Sequence, residues 1–563
     1  MRREVSVVNK KVCSFPILFA LLALLIGTCA VVFPTSAQAA PTSTGSITVS
    51  GTVARSYDAY QIFSANVVDG DSDAKIATDL AWASDAVRDV ALPVLHSAGM
   101  PKSQTTAQEA AEWLNTDSHL TSALSAQLAR SLQNSGAELA ALNAGTEAKL
   151  PCGYWLIVAD DDAIAQNEAG TAPIMALVGG SAVTVKPKAA TPKVAKHVLE
   201  DSTAAWQKAA DATVADDLYW RLSATVPAGL TAYDTYTVRF VDTMGAGLDP
   251  SKVAASMRVY VAAGADGGFG AVSAGKDGRA GTEPAKGWTD ITAQCATKVA
   301  ADSKTFTVRT GDLIAALGGA DAFTAGARVV AVYNAPLNSA CNHGIAKGNP
   351  NEVYLRYPRS PFADQSGDAG FTRTPSDDAC AYTWDLALTK RGSDGDKPLA
   401  GAVLSIADDR GRTLAADGTW DAEGKATVTT GEDGRVAVSG VDSGKLEVRE
   451  LKAPKGYTAF EGTRSATVKA EGLDVDQVAA AKPKLTITAE SPLRADSADG
   501  STGSLEASLI NTPTGTPPSI TTGGFMPSTG DMAMYAAAAA AVAGAALIVV
   551  ALLVKRGGGS HKE

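Results

Sequence analysis

An apolar run near the C-terminus places the strictest limit on how this chain can fold. The run from Met532 to Val554 has no charged residue and is long enough to cross a bilayer as one helix. Lys555 and Arg556 follow it, and positive residues of this kind hold a short tail in the cytoplasm. We therefore predict a transmembrane segment at 531–554, a cytoplasmic tail at 555–563, and an exported remainder.

The N-terminus carries a second targeting pattern. Arg2 and Arg3 precede an apolar stretch that runs into Ala37-Gln38-Ala39, the small-x-small pattern of a signal peptidase site. We predict a signal peptide at 1–39, which places the folded region outside the cell. Cysteines can pair there, and the four that remain allow three pairings, between which the sequence does not choose. These four are Cys152, Cys295, Cys341 and Cys380.

Composition excludes several classes of function. The net charge is -11, and no basic block precedes the final tail, so we expect no nucleic-acid partner. The five histidines are scattered without metal-ligand spacing, so we expect no metal and no cofactor. We find no phosphate-binding loop and no nucleophile elbow. The chain is therefore not expected to be an enzyme that turns over a substrate.

About 490 residues lie between the two targeting segments, enough for three domains of ordinary size. Period-2 strands surround a segment with helical signals, namely capping-box spacing in Thr106-Ala107-Gln108-Glu109 and leucines every four residues from Leu120 to Leu132. The later segments alternate short strands with Gly-rich turns. We predict a mainly β fold of tandem immunoglobulin-like sandwiches, with helical insertions in the N-terminal domain. The expected domains are 40–188, 189–365 and 380–512, followed by a linker and sorting motif at 513–530.

Side-chain parity in the third domain points to a covalent cross-link. Successive side chains of a strand face opposite sides, and three strands each turn one polar residue toward the apolar face. These residues are Lys390, Glu450 and Asn511. Burial favours a neutral amine at Lys390 and a neutral acid at Glu450. The amine can then attack the Asn511 amide and release ammonia, forming an isopeptide bond. A plain ion pair between Lys390 and Glu450 is the alternative.

Three motifs resemble those of proteins assembled by sortases. Met526-Pro527-Ser528-Thr529-Gly530 is similar to the Leu-Pro-x-Thr-Gly cell-wall sorting signal, with Met526 in the place of leucine. The segment from Glu450 to Tyr457 resembles the E-box of Gram-positive pilins, and Thr389-Lys390 with Leu399-Ala400-Gly401-Ala402 resembles the first strand of a Cna-B-type domain. An ordinary tail anchor is the alternative reading of the first motif.

These likenesses point to the sortase-assembled major, or backbone, pilins. The resemblance implies that Glu450 promotes autocatalytic bond formation, that a sortase cuts between Thr529 and Gly530, and that Thr529 is joined to a lysine of the next subunit. The implied partners are a class C-type pilus sortase, a housekeeping sortase, further copies of the chain, minor or tip pilins, and peptidoglycan. The chain would form a wall-anchored pilus on the cell surface that supports adhesion.

A backbone subunit also needs an acceptor lysine. The family pattern Val-x-Val-Tyr-Pro-Lys-Asn corresponds to Val183-Thr184-Val185-Lys186-Pro187-Lys188-Ala189, so position favours Lys188. Because Lys186 replaces the aromatic residue and the motif departs from the pattern at Ala189, Lys186 is a rival. Both would be ordinary solvated lysines in a monomeric wall-anchored adhesin or minor pilin, which is the alternative function.

The second domain resembles the middle domain of the same pilins. Lys196 and Asp242 would be the nucleophile and the acid of a second bond, but the last strand departs from the family pattern at Arg359. Asn351 shares the inward phase and lies at the other end of that strand. We therefore expect the middle bond to be absent, with Arg359 paired to Asp242. A disulfide between Cys295 and Cys341 would supply some of the missing cross-linking.

Overall fold

The chain is mainly β, as the sequence predicts. The computed structural model describes residues 43–51, 56–71, 74–116, 118–187, 191–228, 230–264 and 287–515. Their strands form six sheets, two in each of three successive stretches of the chain. This arrangement confirms the fold class of tandem β-sandwiches, with few helices.

The first pair of sheets combines eight strands with three helices. The strands are β1 Thr44–Val49, β2 Ser56–Asp69, β3 Lys75–Trp82, β4 Ala140–Asn143, β5 Glu147–Pro151, β6 Gly153–Ala159, β7 Ile174–Val178 and β8 Val183–Val185. The helices are α1 Asp85–Ser97, α2 Ala107–Asn115 and α3 Ser122–Gln133. One sheet has the order β5-β1-β8, and the other has the order β3-β2-β6-β7 with β4 also on β2.

The helices of this first sandwich begin and pack as the sequence predicts. The Thr106 side chain accepts from the Glu109 amide, and Glu109 bonds the Thr106 amide in return, which confirms the predicted capping box. Along α3, the leucines spaced four apart bury one face of the helix at Leu124, Leu128 and Leu132.

The second pair of sheets forms the largest apolar core of the described residues. Its strands are β9 Val194–Glu200, β10 Ala205–Gln207, β11 Ala209–Asp211, β12 Tyr219–Thr225, β13 Arg239–Met244, β14 Arg258–Ala262, β15 Trp288–Asp290, β16 Ala296–Val299, β17 Thr305–Arg309, β18 Arg328–Asn334, β19 Asn349–Pro358, β20 Phe371–Arg373 and β21 Asp377–Tyr382. Two short helices accompany them, α4 Val253–Ser256 and α5 Leu313–Ala316. One sheet is β10-β9-β12-β18-β14-β15, and the facing sheet is β11-β21-β19-β13-β17-β16 with β20 on β19.

The third pair of sheets contains the remaining described strands. They are β22 Trp384–Gly392, β23 Val403–Ala407, β24 Thr413–Leu414, β25 Trp420–Asp421, β26 Val428–Thr429, β27 Arg435–Val441, β28 Gly444–Lys452, β29 Tyr457–Thr458, β30 Thr463–Glu471, β31 Lys484–Ala489, β32 Leu493–Asp499 and β33 Ser504–Pro513. One sheet is β27-β22-β33-β29 with β32 on β33, and the other is β25-β24-β23-β28-β30-β31 with β26 on β23.

Polar contacts join the second sandwich to the third. The Trp384 indole is fully buried and donates to an Asp211 carboxylate oxygen at 2.6 Å. The Val214 amide donates to the Gly440 carbonyl at 2.9 Å, and Arg412 pairs with Asp216 at 2.8 Å. Backbone and side-chain bonds together fix the junction between these two sandwiches.

Several predicted segments lie outside the described residues. These are the signal peptide at 1–39, the sorting motif from Met526 to Gly530, the transmembrane segment at 531–554 and the tail at 555–563. Within the described ranges, no helix has the length and apolar character needed to span a bilayer.

Candidate functional site

The third sandwich brings together Lys390, Glu450 and Asn511. Lys390 lies on β22 and Asn511 on β33, which run side by side and parallel, with Lys390 opposite Leu509 and Gly392 opposite Asn511. Because the side-chain period of a strand is two, Lys390 and Asn511 project from the same face of this sheet. Glu450 enters from β28 of the facing sheet. Side chains from the first strand, the last strand and a central strand of the third sandwich thus meet in one core.

Contacts within this cluster join the amine, the amide and the acid. The Lys390 Nζ atom donates to Asn511 Oδ1 and lies 3.2 Å from Glu450 Oε1. Asn511 Nδ2 donates to both Glu450 oxygens, at 2.9 and 3.0 Å. The Phe460 amide also donates to Glu450 at 3.1 Å. Glu450 therefore touches both the nucleophile and the amide nitrogen that leaves when an isopeptide bond forms.

Burial changes the chemistry of the lysine. The Lys390 side chain is fully buried. Loss of hydration lowers the pKa of its amine to about 8, although the nearby Glu450 carboxylate opposes this shift. A larger fraction of Lys390 is therefore the neutral, nucleophilic amine than for an exposed lysine at the same pH.

The second sandwich contains another buried lysine–acid pair. Lys196 on β9 and Asp242 on β13 come from facing sheets, and both are fully buried. The Lys196 Nζ atom donates to Asp242 Oδ2 and also to the Tyr333 hydroxyl at 2.9 Å. Burial lowers the pKa of Lys196 to about 8 and raises that of Asp242, although each partner's charge opposes the other's shift.

Asn351 belongs to this same cluster, contrary to the sequence-based expectation. Antiparallel pairing of β13 with β19 sets Asn351 opposite Met244, two residues from Asp242, so this end of β19 lies beside the buried acid. Asn351 Nδ2 donates to the Tyr333 hydroxyl at 2.8 Å. Tyr333 was not predicted from the sequence, because it lies on β18, in the sheet that faces Asp242 and Asn351. Its inward phase with Val329 and Ala331 was the available signal.

The predicted pairing of Arg359 with Asp242 is wrong. Arg359 Nη1 donates to the Asp161 carbonyl at 3.0 Å and lies 3.9 Å from an Asp162 oxygen. Arg359 follows the end of β19, where the chain turns toward the first sandwich, so its side chain reaches that neighbour instead of the buried Asp242.

The predicted Cys295–Cys341 disulfide is also absent. All four described cysteines are free thiols. Cys295 precedes β16 and donates to the Ile291 carbonyl at 3.3 Å. Cys341 follows β18 and lies 3.6 Å from His343 Nε2. The two thiols thus lie next to strands of opposite sheets and contact different neighbours.

Of the two candidate acceptor lysines, the structure describes Lys186 and does not describe Lys188. Lys188 lies outside the described residues, so only the surroundings of Lys186 are known. Lys186 is exposed, directly follows β8, and lines a cleft of about 570 Å³ between the first and second sandwiches. Met175 and Tyr233 are among the other residues of this cleft. The lysine-bearing loop therefore begins beside a cleft that involves two domains.

Comparisons with known proteins find a family that part of the third sandwich matches. Residues 385–482, which include Lys390 and Glu450, match the family described as "SpaA: Prealbumin-like fold domain". The "Trypsin-resistant surface T6 protein" of Streptococcus pyogenes is 30% identical over 143 residues, which cover 24% of this chain and 24% of that protein. The aligned segment therefore spans about a quarter of the relative's length.

Two solved structures align with a larger share of the chain. The T6 backbone pilin of serotype M6 Streptococcus pyogenes gives a TM-score of 0.43 at 16% identity, covering 84% of this chain and 98% of that one. The major pilin SpaD of Corynebacterium diphtheriae gives a TM-score of 0.40 at 15% identity, with the same two coverages of 84% and 98%.

Proposed function

We propose, from the match of residues 385–482 to the SpaA prealbumin-like family, that the chain is the backbone subunit of a covalently polymerised surface pilus. The observation that carries the proposal is the buried cluster of Lys390, Glu450 and Asn511, because a fibre subunit exposed to shear benefits from a cross-link that a soluble binding domain does not need. The similarity to the streptococcal "Trypsin-resistant surface T6 protein" supports a place at the cell surface.

The third sandwich is proposed to form an isopeptide bond between Lys390 and Asn511. Glu450 takes a proton from the Lys390 ammonium, and the neutral amine attacks Cγ of Asn511. A bond forms between Nζ and Cγ, and the bond from Cγ to Nδ2 breaks. Glu450 gives its proton to the departing nitrogen, then takes the second proton shed by Nζ and ends as the neutral acid. One ammonia is released. Contacts of Glu450 with both nitrogens support this shuttle.

Peptide mass spectrometry of the full chain tests this bond. We expect a cross-linked peptide pair that contains Lys390 and Asn511 and weighs one ammonia less than its parts. Glu450→Ala should restore the full mass. Glu447→Ala is the matched control, since Glu447 lies on the same strand and pairs with Lys445 at the surface. Full mass in the wild-type chain would refute the proposed bond.

A second bond between Lys196 and Asn351 is proposed for the middle sandwich. The two side chains are fully buried and both lie within 2.9 Å of the Tyr333 hydroxyl. Asp242 would serve as the acid. This bond would join the two facing sheets, whereas the bond of the third sandwich would join adjacent strands of one sheet.

Polymerisation is proposed to follow from the sorting motif. A sortase cysteine would attack the carbonyl of Thr529, release Gly530 and the membrane segment, and pass Thr529 to a lysine amine of the next subunit. An exposed lysine is mostly protonated at neutral pH, so the enzyme must position and deprotonate it. Pro187 and Pro192 stiffen the loop around Lys188, which favours that residue over Lys186. Attachment of the finished polymer to peptidoglycan would place it on the cell surface.

Wall extracts separated on a denaturing gel distinguish a backbone subunit from a monomeric adhesin or minor pilin. We expect a ladder of polymers for the wild type and a single band for Lys188→Ala, with export and anchoring unchanged. Lys193→Ala, in the same segment, is the control. If Lys186→Ala alone abolishes the ladder, the acceptor is Lys186. A single band for the wild type would favour the monomeric adhesin.

A further inference from the structure

The acid of the second sandwich has a shorter reach than the acid of the third. Glu450 contacts both Lys390 Nζ and Asn511 Nδ2 directly. Asp242 has one methylene fewer, and its Oδ2 atom is occupied by Lys196 and the Tyr333 hydroxyl. Its Oδ1 atom is buried without a hydrogen-bond partner among the described residues, as is Asn351 Oδ1. The carboxyl group thus has no hydrogen bond to the amide that it would have to assist.

The Tyr333 hydroxyl fills this gap. It accepts from Lys196 Nζ at 2.9 Å and from Asn351 Nδ2 at 2.8 Å, and it donates to Asp242 Oδ2 at 3.0 Å. Tyr333 is fully buried, and its ring packs edge-on against Phe306 with centroids 4.8 Å apart. One oxygen therefore touches the nucleophile, the leaving nitrogen and the acid at the same time.

We propose that Tyr333 is a catalytic residue in formation of the Lys196–Asn351 bond, relaying a proton from Asp242 to the departing nitrogen of Asn351. The inference rests on the proposed function, in which this bond forms. Asp242 first takes a proton from the Lys196 ammonium. The bond from Nζ to Asn351 Cγ then forms as the bond from Cγ to Nδ2 breaks, and ammonia leaves.

The proton balance closes without an added reactant. Tyr333 gives its hydroxyl proton to Nδ2 and recovers one from Asp242, which in turn takes the second proton shed by the Lys196 nitrogen. Burial raises the pKa of Tyr333 well above its ordinary range, so the hydroxyl stays protonated and able to donate. Burial also raises the pKa of Asp242, which favours the protonated acid that supplies the relay. Tyrosine ends as it began, and Asp242, which began as the carboxylate, ends as the neutral acid because Nζ sheds two protons and the departing nitrogen takes up one.

Tyr333→Phe in the full chain tests the relay. Chains are sampled at intervals after cell-free synthesis, digested, and the cross-linked peptide pair of Lys196 and Asn351 is quantified by mass spectrometry. We expect linkage to slow by about a hundredfold, in the range found for removal of a general acid. Tyr236→Phe removes a hydroxyl from an equally buried tyrosine of the same core and should link at the wild-type rate. The Lys390–Asn511 pair in the same digest is the internal control.

The possible outcomes distinguish a failure of the Tyr333 relay from a failure of the Lys196–Asn351 bond on which it rests. If the wild type links Lys196 to Asn351 and Tyr333→Phe does so equally fast, Tyr333 has no catalytic role and the bond stands. If the wild type lacks that pair but contains the Lys390–Asn511 pair, the middle bond itself fails and the relay fails with it.

A second substitution guards against misfolding of the phenylalanine variant. Incorporation of 3-fluorotyrosine at position 333 retains the shape and hydrogen bonds but makes the hydroxyl more acidic. A changed rate of linkage supports proton transfer through this oxygen. An unchanged rate overturns it, since a merely structural hydroxyl is insensitive to its own acidity.

Discussion

At the scale of single residues, the strongest physical constraint is the burial of two lysines. Each amine is placed where water does not reach it, and each keeps one acid as its partner. Removing an ammonium group from water is unfavourable even when a carboxylate is near. Covalent capture of the amine removes that penalty permanently, because an amide carries no charge.

The lowered pKa of Lys390 predicts a pH dependence in a chain that cannot form the bond. In Asn511→Ala, the unfolded state binds Lys390's proton up to its ordinary pKa of 10.5, whereas the folded state releases it near 8. The unfolded state therefore holds more protons between these values, and stability should rise with pH across that window. Urea denaturation from pH 7 to 10.5 measures it.

The control for this experiment removes the titrating group. Asn511→Ala combined with Lys390→Met should lose the part of the pH dependence that Lys390 causes. Identical slopes in the two variants would contradict a lowered pKa.

The sequence predicted the buried cluster of the third sandwich more fully than that of the second sandwich. Period-2 alternation assigned Lys390, Glu450 and Asn511 to one core, and all three lie in contact there. Asn351 was misjudged because the register of β13 against β19 decides which end of β19 meets Asp242, and register between distant strands is not encoded in local alternation. Tyr333 required knowledge of how the two sheets face each other.

At the scale of secondary-structure elements, the cluster of Lys390, Glu450 and Asn511 connects the first and last strands of the third sandwich. Strands β22 and β33 pair in parallel over eight residues, from Asp385 opposite Ser504 to Gly392 opposite Asn511. Strand separation here would open the core between the two sheets. The proposed covalent bond near the end of this pair would therefore block an early step of unfolding.

Lys390→Met should make the third sandwich open faster. The variant removes both the bond and the buried charge while retaining most of the side-chain volume. Closing a loop of about 120 residues contributes about 5 kcal/mol to the free energy of unfolding in the chain-entropy model. We therefore expect Lys390→Met to lower that free energy by up to this amount. Digestion with trypsin, followed over time, measures the change. Lys445→Met on the exposed face of β28 is the control, and equal digestion of both variants would argue against a bond.

The elements themselves were the most predictable part. The capping box and the leucine spacing predicted the helical insertion from local chemistry alone, and α2 and α3 confirm it. The supposed disulfide and the Arg359 pairing failed for a different reason, since both required distances between elements that no local pattern contains.

At the scale of the whole molecule, chain order decides which domains would bear load in the proposed fibre. Tension would enter at the acceptor lysine near residue 188 and leave at Thr529. The first sandwich ends before that lysine and so lies off the path. The second and third sandwiches lie on it, and these two contain the buried lysine clusters. Buried contacts such as that of Trp384 with Asp211 would transmit force between them.

Single-molecule extension tests this division of labour. With handles at position 188 and beyond residue 515, the wild type should extend without unfolding the segments enclosed by its bonds. Lys390→Met should add a step of roughly 400 Å, the extended length of about 120 residues, and Asn351→Ala one of roughly 500 Å from about 155 residues. The steps differ enough to assign each to its sandwich. Wild-type chains that already give both steps would show that neither sandwich is cross-linked along the line of force.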